Sequence, residues 1–592
     1  MLETFLKQAE ADRPVYLGAV REAFNKEGIH PFSCHVTLYD GTVRRFALRL
    51  PAWSKPREEA FVSSYVHAML YNILSSLGAV RVDVYVDRKD AGSMALAEGL
   101  SGVFQTELPK TERTGYGKCL NVNERTLHAL CGERQRFGFF VRDVSEEPEV
   151  AEPAPVRGGG TVFERLPELA ATRMVMGMDI GGTDVKLVAS VNGTLAVFKE
   201  FDWFPASFTR AEQLVEPLVL LTRLMRAAAS LHAAGRASEL DAAALDRHAT
   251  MEDMERGTAA MEAAAGDDLR QFDAIGLCFP DVVIRNRIVG GETYKTRGMR
   301  ANRELDYEAQ FAKITGLVDR LADFVTPDGE VMNTNDGPMA AFTTAVEQAA
   351  AGMDVSDGFF AHTLGTELGT GWVRPDGSIP EIPLEVYNFI VDLGSAPQQA
   401  YEPDDARSVN NFNTGLPGTL QKYACQSGVF RLAARYLPEQ APGVWQEAVD
   451  KGFFVRSGEK LVVPTEPKDL RKPCLEFFIE KAAEPGQDTC AEIFRQVGES
   501  LGACWVETEY ILRPEAKART LFGRLVKNPV CFRLMCEGAN RIVPELRQYA
   551  ADGDLANTAL MKQLEENPEY TVAQFAQAVG AVYYGCLAFA AN

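Results

Sequence analysis

The first 143 residues alternate between strand-like and helix-like patterning. Residues 35–50 (HVTLYDGTVRRFALRL) alternate apolar and polar positions on both sides of an Asp-Gly pair, which predicts a β-hairpin. Apolar and aromatic residues then recur at helical spacing over residues 57–77, and Gly78 is placed to end the helix. The alternating run VRVDVYVD predicts another strand. We therefore expect an N-terminal α+β domain, residues 1–143, with its aromatic residues in the core.

A change of composition ends this domain. Residues 144–160 (VSEEPEVAEPAPVRGGG) have no apolar period, which predicts an extended, solvated linker that reaches residue 165. Farther along, residues 211–265 are rich in Ala, Leu, Glu and Arg and helical in pattern. We expect a helical insertion on the surface there. It is either a self-association site that makes a homo-oligomer or a solvated hairpin without function.

The chain is acidic: its 592 residues include 61 Lys plus Arg and 82 Asp plus Glu, a net charge of −21. This balance disfavours nucleic acid as a partner, because binding it broadly needs a cationic surface. Strands also stand in the N-terminal domain where a helix-turn-helix needs successive helices. A small basic pocket for an anionic substrate is still compatible with this negative net charge. The 46% share of hydrophobic residues excludes a wholly disordered chain.

Cysteine and histidine do not cluster. The 11 Cys contain no CxxC pair and the seven His are scattered, so we expect no zinc site. The N-terminus lacks the pattern of a signal peptide, and we find no apolar run that approaches the roughly 18–20 residues of a membrane helix. The sequence therefore predicts a cytoplasmic protein with no membrane partner.

The segment MVMGMDIGGTDVKLVAS carries the strongest chemical signal. An apolar strand leads into Asp179, then Gly181, Gly182 and Thr183 form a tight turn, and a second strand returns. Consecutive N–H groups and a Thr hydroxyl in such a turn can hold phosphate oxygens. An acid at the strand end can hold Mg²⁺ through water, which makes Asp179 the predicted metal residue. An ordinary Gly hairpin is the alternative.

Three later segments also predict strands that end in a turn or at the start of a helix. FDAIGLCFPDVV (272–283) is a buried strand, VMNTNDGPMAAFTTAVEQ (331–348) is a strand that runs into a helix, and FFAHTLGTELGTGWV (359–373) is a second Gly/Thr turn between strands. In this order the segments resemble the sugar-kinase branch of the actin, hexokinase and heat-shock ATPase superfamily. They look most like the ROK family (repressors, open reading frames and kinases), whose second loop reads close to TLGTGIGGG.

The resemblance implies a fold for residues 170–592. We expect an α/β protein of two ribonuclease-H-like (actin-like ATPase) lobes with an interlobe cleft, beside the N-terminal α+β domain. Lobe I would cover residues 166–340, completed by a C-terminal helix at about 572–592, and lobe II residues 341–571. Insertions would fall near 206–270 and 438–490.

The resemblance also implies ATP and Mg²⁺ as cofactors. The nucleotide phosphates would lie between the Asp179–Thr183 turn and the second turn, and Gly523 would lie in the adenosine segment, where a Gly pair is usual. The implied residues of the second turn are Gly365, Thr366 and Gly369.

On the acceptor side, the resemblance implies Asp336 as general base and Asn335 as a hydrogen-bonding partner of a sugar. A helix N-cap is the competing interpretation of this Asn-Asp pair. Glu385 matches the family's acid, whereas Asn388 replaces its His and Gln421 replaces its second sugar-binding Glu. These three would still line the acceptor pocket, but a rebuilt one, so the family's known sugars are not transferred.

Two further positions raise questions. Lys295 and Arg297 either face an anionic acceptor group or lie on the surface. Glu367 stands where the family has Gly beside the nucleotide phosphates, and a carboxylate there is costly unless a cation or base intervenes. We therefore expect an ATP-dependent kinase acting on a hydroxyl of a sugar or sugar-like small molecule. The alternative is a non-catalytic sugar sensor with the N-terminal domain as its output module.

Overall fold

A computed structural model describes residues 1–132, 134–151, 162–290, 294–395, 400–551 and 556–590. The chain forms two compact units. The first unit comprises Met1–Pro155, Ala361–Thr370 and Ile382–Asp552, and the second comprises Val156–Phe360, Gly371–Glu381 and Gly553–Asn592. The first unit thus combines the N-terminal residues with most of the chain after residue 381. The domain boundaries drawn from the sequence stay predictions.

The N-terminal part of the first unit is an α+β domain, as its patterning predicted. The predicted hairpin is β1 and β2, the predicted helix is α3, and the third alternating run is β3. The sheet has the order β2-β1-β3-β4, in which only β3 and β4 run parallel. Its elements are α1 (Leu2–Glu10), α2 (Leu17–Glu27), β1 (His30–Thr37), β2 (Val43–Leu50), α3 (Pro56–Ser76), β3 (Arg81–Val86), α4 (Ala91–Val103), α5 (Cys119–Cys131) and β4 (Phe139–Asp143).

The start of the predicted linker is held against this sheet. Glu147 accepts hydrogen bonds from the Ser33 hydroxyl and from Arg45 Nε, each at 2.7 Å. Glu147 is therefore tied to the sheet, whereas Ser145 and Glu146 are exposed as a solvated linker would be. Residues 152–161 of the predicted linker lie outside the described residues.

The second unit is built on a five-stranded sheet of order β7-β6-β5-β8-β11. Strand β6 runs antiparallel to both neighbours, and β5, β8 and β11 run parallel. This is the ribonuclease-H-like arrangement that the resemblance implied. Its elements are α6 (Val162–Ala170), β5 (Met174–Ile180), β6 (Asp184–Val191), β7 (Thr194–Asp202), α7 (Glu212–Ala233), α8 (Ala242–Leu245), α9 (Met251–Ala265), β8 (Phe272–Phe279), β9 (Val283–Ile284), β10 (Arg287–Ile288), α10 (Arg297–Ala301), α11 (Tyr307–Thr315), α12 (Leu317–Leu321), β11 (Val325–Asn335), α13 (Asp336–Ala350), α19 (Ala559–Glu565) and α20 (Val572–Cys586).

The second half of the first unit contains a related sheet of order β13-β12-β16-β17. Strands β12, β16 and β17 run parallel, like the corresponding strands of the five-stranded sheet. The elements in this part of the chain are β12 (Phe359–Leu364), β13 (Leu368–Val373), α14 (Gln426–Gln440), α15 (Pro442–Asp450), β14 (Val455–Ser457), β15 (Lys460–Val462), α16 (Arg471–Ala483), α17 (Asp488–Ile511), β16 (Ala518–Phe522), α18 (Pro529–Ala539) and β17 (Arg547–Ala550). Together the sheets confirm the predicted fold class.

The expectation of a surface insertion at residues 211–265 is wrong for its first helix. In α7, Leu214, Leu218, Leu221 and Met225 are completely buried in the core of the second unit, where the helix packs against β6 and β7. The 3–4 residue spacing of these side chains forms one apolar stripe, and the sheet covers it. A helix that looks peripheral because it lacks aromatic residues is therefore part of the core.

The expectation that no apolar run approaches the length of a membrane helix is wrong for helix α20. Among the described residues, Val572–Phe589 is one helical stretch long and apolar enough to cross a membrane, and 56% of it is buried inside the protein. Two strand glycines let it approach the sheet. A Cβ on Gly177 would lie 1.9 Å from the carbonyl oxygen of Ala578, and one on Gly276 would lie 1.8 Å from that of Ala581. The apolar composition of this helix thus serves core packing.

Candidate active site

The carboxyl ends of three parallel strands meet at one edge of the five-stranded sheet. Asp179 near the end of β5 pairs in register with Cys278 of β8, and Phe279 pairs with Asn335 at the end of β11. Ligands of open α/β sheets bind at this edge, because the following turns present their polar groups there. The motifs for the first phosphate turn and for the predicted base therefore come together through the sheet.

Asp179 lies at this edge among groups that control its charge. It accepts a hydrogen bond from the Cys278 thiol, with 3.3 Å between Oδ1 and Sγ. Burial raises the pKa of Asp179, and the nearby Lys186 ammonium opposes that rise. In the turn that follows, a Cβ on Gly181 would lie 2.6 Å from the carbonyl oxygen of Asp184, so this position needs glycine.

The rest of this turn is open. Thr183 is exposed, and its hydroxyl lies 3.4 Å from Asp184 Oδ2. A Cβ on Gly182 would lie 3.6 Å from Lys295 Cε, which places that lysine beside the turn. Lys295, which the motif does not contain, thus lies beside Gly182 of the predicted phosphate turn.

Asn335 is the N-cap of α13, as the competing interpretation proposed. Its Oδ1 accepts from the Gly337 N–H at 2.9 Å, and its Nδ2 donates to the carbonyl oxygen of Asp281 at 2.8 Å. Both ends of the amide are therefore used by the protein itself. A sugar contact of Asn335 stays a prediction.

Asp336 occupies the first position of α13 and is open to solvent. Its Oδ1 accepts from the Gly337 N–H at 2.9 Å, and the Asn335 side chain is close enough to lower the pKa of Asp336. Surrounding protein raises the pKa of Asp336 although solvent reaches it, and the Lys295 ammonium opposes the rise. Asp336 is therefore a solvent-exposed carboxylate at the start of α13.

Lys295 is the residue whose role the sequence did not settle. It is only 8% exposed and faces the carboxylates of Asp336, Asp281 and Asp179, whereas Arg297 is exposed. Burial lowers the pKa of Lys295, and the three carboxylates raise it. The surface alternative is therefore wrong for Lys295 and holds for Arg297. The sequence shows a basic residue in the loop after β10, but it does not show which way the side chain of that residue points.

The second Gly/Thr turn lies in the first unit. The Gly365 N–H donates to the Glu367 carbonyl at 3.2 Å, and the Gln426 N–H at the start of α14 donates to the Gly365 carbonyl at 3.1 Å. Thr366 is exposed, and Gly369 would tolerate a Cβ. Gly523 has φ +101°, and a Cβ there would lie 2.5 Å from the Leu364 carbonyl oxygen, so it allows the chain to pass the end of β12.

The side chain of Glu367 points toward a predicted acceptor residue. Its Oε2 accepts from Gln421 Nε2 at 3.1 Å, and Gln421 Oε1 accepts from the Phe412 N–H at 3.1 Å. Surrounding protein raises the pKa of Glu367 although solvent reaches its side chain, and Gln421, Lys422 and Arg471 oppose the rise. Lys422 itself is buried, and burial lowers its pKa to about 8. Glu367, the unexpected carboxylate in the second turn, is thus hydrogen-bonded to Gln421, the unexpected amide among the predicted acceptor residues.

Glu385 and Asn388 form a second linked pair. Asn388 Nδ2 lies 3.4 Å from Glu385 Oε2, and Asn388 Oδ1 accepts from Asn411 Nδ2 at 3.1 Å. The structure therefore groups Glu367 with Gln421 and Glu385 with Asn388 inside the first unit. Asp179, Asn335 and Asp336 are grouped inside the second. Asn411 and Lys422 carried no sequence motif and were not predicted.

No family model and no curated protein matches this chain. Among solved structures it is similar to a ROK family glucokinase from Streptomyces griseus in complex with glucose and AMPPNP, with 16% identity, a TM-score of 0.35, and coverage of 69% of this chain and 98% of that one. A ROK hexokinase from Thermus thermophilus has 15% identity, a TM-score of 0.36, and coverage of 69% and 97%. A glucokinase from Balamuthia mandrillaris in complex with glucose has 11% identity, a TM-score of 0.35, and coverage of 68% and 98%.

Its structural neighbours are sugar kinases. At these identities the likeness concerns the fold, and it does not say which substrate this chain accepts.

The donor set fits a sparsely coordinated magnesium ion. Among the described residues no group of three or more His, Cys, Asp or Glu forms a metal cage. Mg²⁺ commonly keeps several waters and binds through one or two carboxylates plus substrate phosphates. Asp179, at the strand end before the glycine turn, is the carboxylate that would hold such an ion.

Proposed function

We propose that this protein transfers the γ-phosphoryl group of ATP to a hydroxyl of a sugar or sugar-like small molecule. The observation that carries the proposal is the position of Asp336. It presents a solvent-exposed carboxylate at the edge where three parallel strands end, beside the buried ammonium of Lys295.

Asp336 would act as the general base. It accepts the proton of the acceptor hydroxyl while the new O–P bond forms and the bond from the γ-phosphorus to the bridging oxygen breaks, so that ADP leaves. Phosphoryl transfer depends mainly on positioning and charge stabilisation. The capped first turn of α13 supplies a rigid position for the base, and Lys295 supplies a positive charge close to the reacting groups.

In the second unit, the backbone N–H groups of Gly181 and Gly182 and the Thr183 hydroxyl would hold phosphate oxygens. In the first unit, the exposed Thr366 is the residue of the second turn that would offer a hydroxyl. Asp179 would hold Mg²⁺, which neutralises phosphate charge when bound. The predicted acceptor residues Glu385, Asn388 and Gln421 would contact sugar hydroxyls.

The proposal is tested by ADP release with Mg·ATP and a panel of hexoses, amino sugars and polyols. Asp336→Ala should lower kcat by about 10²–10⁴, the usual contribution of a general base. Asp328→Asn is the matched control, because Asp328 is an exposed acid on the same strand that leads into α13. Equal turnover by the wild type and Asp336→Ala would contradict the proposal, as would no panel-dependent turnover at all.

A non-catalytic sugar sensor is the competing proposal, because Glu367 places a carboxylate in the second Gly/Thr turn. Thermal-shift measurements separate the two. A ligand that binds only the folded state stabilises it by an amount that grows with the ratio of its free concentration to its Kd, so a binding sugar or Mg·ATP raises Tm. Stabilisation by a sugar but never by Mg·ATP would favour the sensor.

A further inference from the structure

The C-terminal end of α3 lies against the segment that carries two predicted acceptor residues. Both belong to the first unit. The Leu384 N–H donates to the Ser76 carbonyl at 2.9 Å, and the Glu385 N–H donates to the Ser75 carbonyl at 3.2 Å. The last carbonyls of a helix have no partner inside the helix. The backbone N–H groups of Leu384 and Glu385 therefore supply hydrogen-bond donors for the carbonyls at the C-terminal end of α3.

The residue before Glu385 has an unusual backbone conformation. Leu384 has φ +56°, in the left-handed region that residues other than glycine rarely occupy. Such a conformation persists only where surrounding contacts enforce it. The hydrogen bond to Ser76 is such a contact, so the direction of the Glu385 side chain depends on α3.

Asn72 fixes the other end of the same segment. This side chain is completely buried, and it pairs with the backbone of Ile390 in both directions. Nδ2 donates to the Ile390 carbonyl at 2.9 Å, and Oδ1 accepts from the Ile390 N–H at 2.8 Å. The side-chain amide of Asn72 thus satisfies both the N–H and the carbonyl of Ile390. A neighbouring strand would otherwise have to supply these two partners.

The N-terminal chain also flanks the residues that follow. The Leu393 N–H donates to the Val15 carbonyl at 2.9 Å, and the Val15 N–H donates to Asp392 Oδ1 at 2.7 Å. Burial raises the pKa of the Tyr71 phenol on α3, and the Glu385 carboxylate raises it further, which shows that the two are close. Residues 384–393 are therefore held along their length by the N-terminal domain.

We propose that the N-terminal domain is a support for the acceptor-binding segment and that Asn72 is a positioning residue for Glu385 and Asn388. The consequence for catalysis rests on the proposed kinase function. The positioning itself does not, because it can be measured without turnover. On this proposal the N-terminal domain works as part of the acceptor site instead of as a separate output module.

Hydrogen exchange of the full chain without ligand tests the positioning. Asn123→Ala is the matched control for Asn72→Ala. Asn123 is 1% exposed and pairs with the backbone of Ala79 in both directions, at 2.9 and 2.8 Å, but entirely within the N-terminal domain. Asn72→Ala should speed exchange at the Ile390 amide about tenfold, the effect of losing a typical hydrogen bond. Asn123→Ala should leave it within about twofold.

Equal exchange at Ile390 in the two variants would overturn the proposal. If Asn72→Ala does not fold, Asn72→Leu takes its place, because leucine fills a similar volume and removes both hydrogen bonds to Ile390. Faster exchange at Ile390 in Asn72→Leu than in Asn123→Ala supports the proposal, and the reverse order overturns it.

Kinetics add a readout that a merely structural role would not move. With Mg·ATP and the panel sugar that gives the fastest ADP release, Asn72→Ala should raise the KM for that sugar about fivefold and leave the KM for ATP within about twofold. Equal changes in both KM values would overturn the positioning role. Absence of turnover with every sugar in the wild type contradicts the kinase function, while the exchange result still decides the positioning.

Discussion

The two ribonuclease-H-like sheets present their polar residues in different ways. In the second unit, Asp179 lies near the end of β5 and Asp336 directly follows β11, and both strands pair in parallel with β8, so the sheet brings the two acids to one edge. In the first unit, Glu367 is linked to Gln421 and Asn388 to Asn411 by side-chain hydrogen bonds between separate segments. The residues proposed for the chemical step are thus placed by strand order, and those proposed for recognition depend on contacts that a motif does not record.

The largest expected effect is on the free energy of unfolding, and it concerns a buried ion pair between the N-terminal domain and the rest of the first unit. Arg21 Nη1 donates to both oxygens of Glu507, at 2.8 and 2.9 Å, and the two residues are 8% and 1% exposed. Arg21→Met leaves a buried carboxylate without its partner, so the free energy of unfolding in urea should fall by about 3–5 kcal/mol.

Two variants control this measurement. Arg21→Met combined with Glu507→Leu removes both charges and should recover most of the loss. Arg57→Met removes an exposed partner of Glu10 and should change stability by less than about 1 kcal/mol. A loss below that value in the single Arg21 variant would contradict the importance of the buried pair.

The next effect tests the second unit. Lys295→Met removes the positive charge beside Asp336, and kcat should fall about a hundredfold. Because Lys295 lowers the pKa of Asp336, the variant base keeps its proton to a higher pH. The acid limb of the pH–rate profile should therefore move toward higher pH. Arg297→Met, which changes an exposed neighbour, should leave both the rate and the limb unchanged.

A smaller effect concerns the strand that leads to the second turn. His362 is completely buried beside the Thr370 hydroxyl at 3.0 Å, and burial lowers its pKa to about 3. The unfolded chain binds this proton near pH 6.5, so stability is complete above that pH and declines as pH falls toward 3. From pH 7 to 5 this single group should remove about 2 kcal/mol.

His362→Gln should remove that share of the pH dependence in urea unfolding measured at pH 7 and 5. His248→Gln is the control, because the His248 side chain is 77% exposed. An identical slope in the wild type and His362→Gln would show that this histidine does not titrate on unfolding.

The smallest effect addresses the unusual carboxylate of the first unit. Glu367→Gln keeps a side-chain oxygen for Gln421 but removes a negative charge from the second turn. The KM for Mg·ATP should fall about threefold, because repulsion between a partly exposed carboxylate and phosphate is weak. Burial raises the pKa of Glu367, so the same KM in the wild type should fall as the pH is lowered. Glu439→Gln, on an exposed part of α14, should change neither.

Several elements were predictable because local patterning and tertiary structure agree. The hairpin of β1 and β2, the strand–turn–strand around Asp179 and the strand that runs into α13 all follow from alternation and glycine placement. Helix α7 was misjudged because small and aliphatic residues are compatible with both a surface and a core, and only the sheet decides. Lys295 was left open because a loop sequence does not state which way its side chain turns.

The sequence by itself determined the strand segments of the motifs, the two glycine turns and the acids Asp179 and Asp336 near strand ends, since these depend on residue type and local spacing. Only the tertiary structure decided that Lys295 faces Asp336, that Glu367 pairs with Gln421 and that Asn72 holds Ile390. Each of these contacts joins residues that are more than 40 positions apart. Their geometry depends on which surfaces are buried together, and no local pattern carries that information.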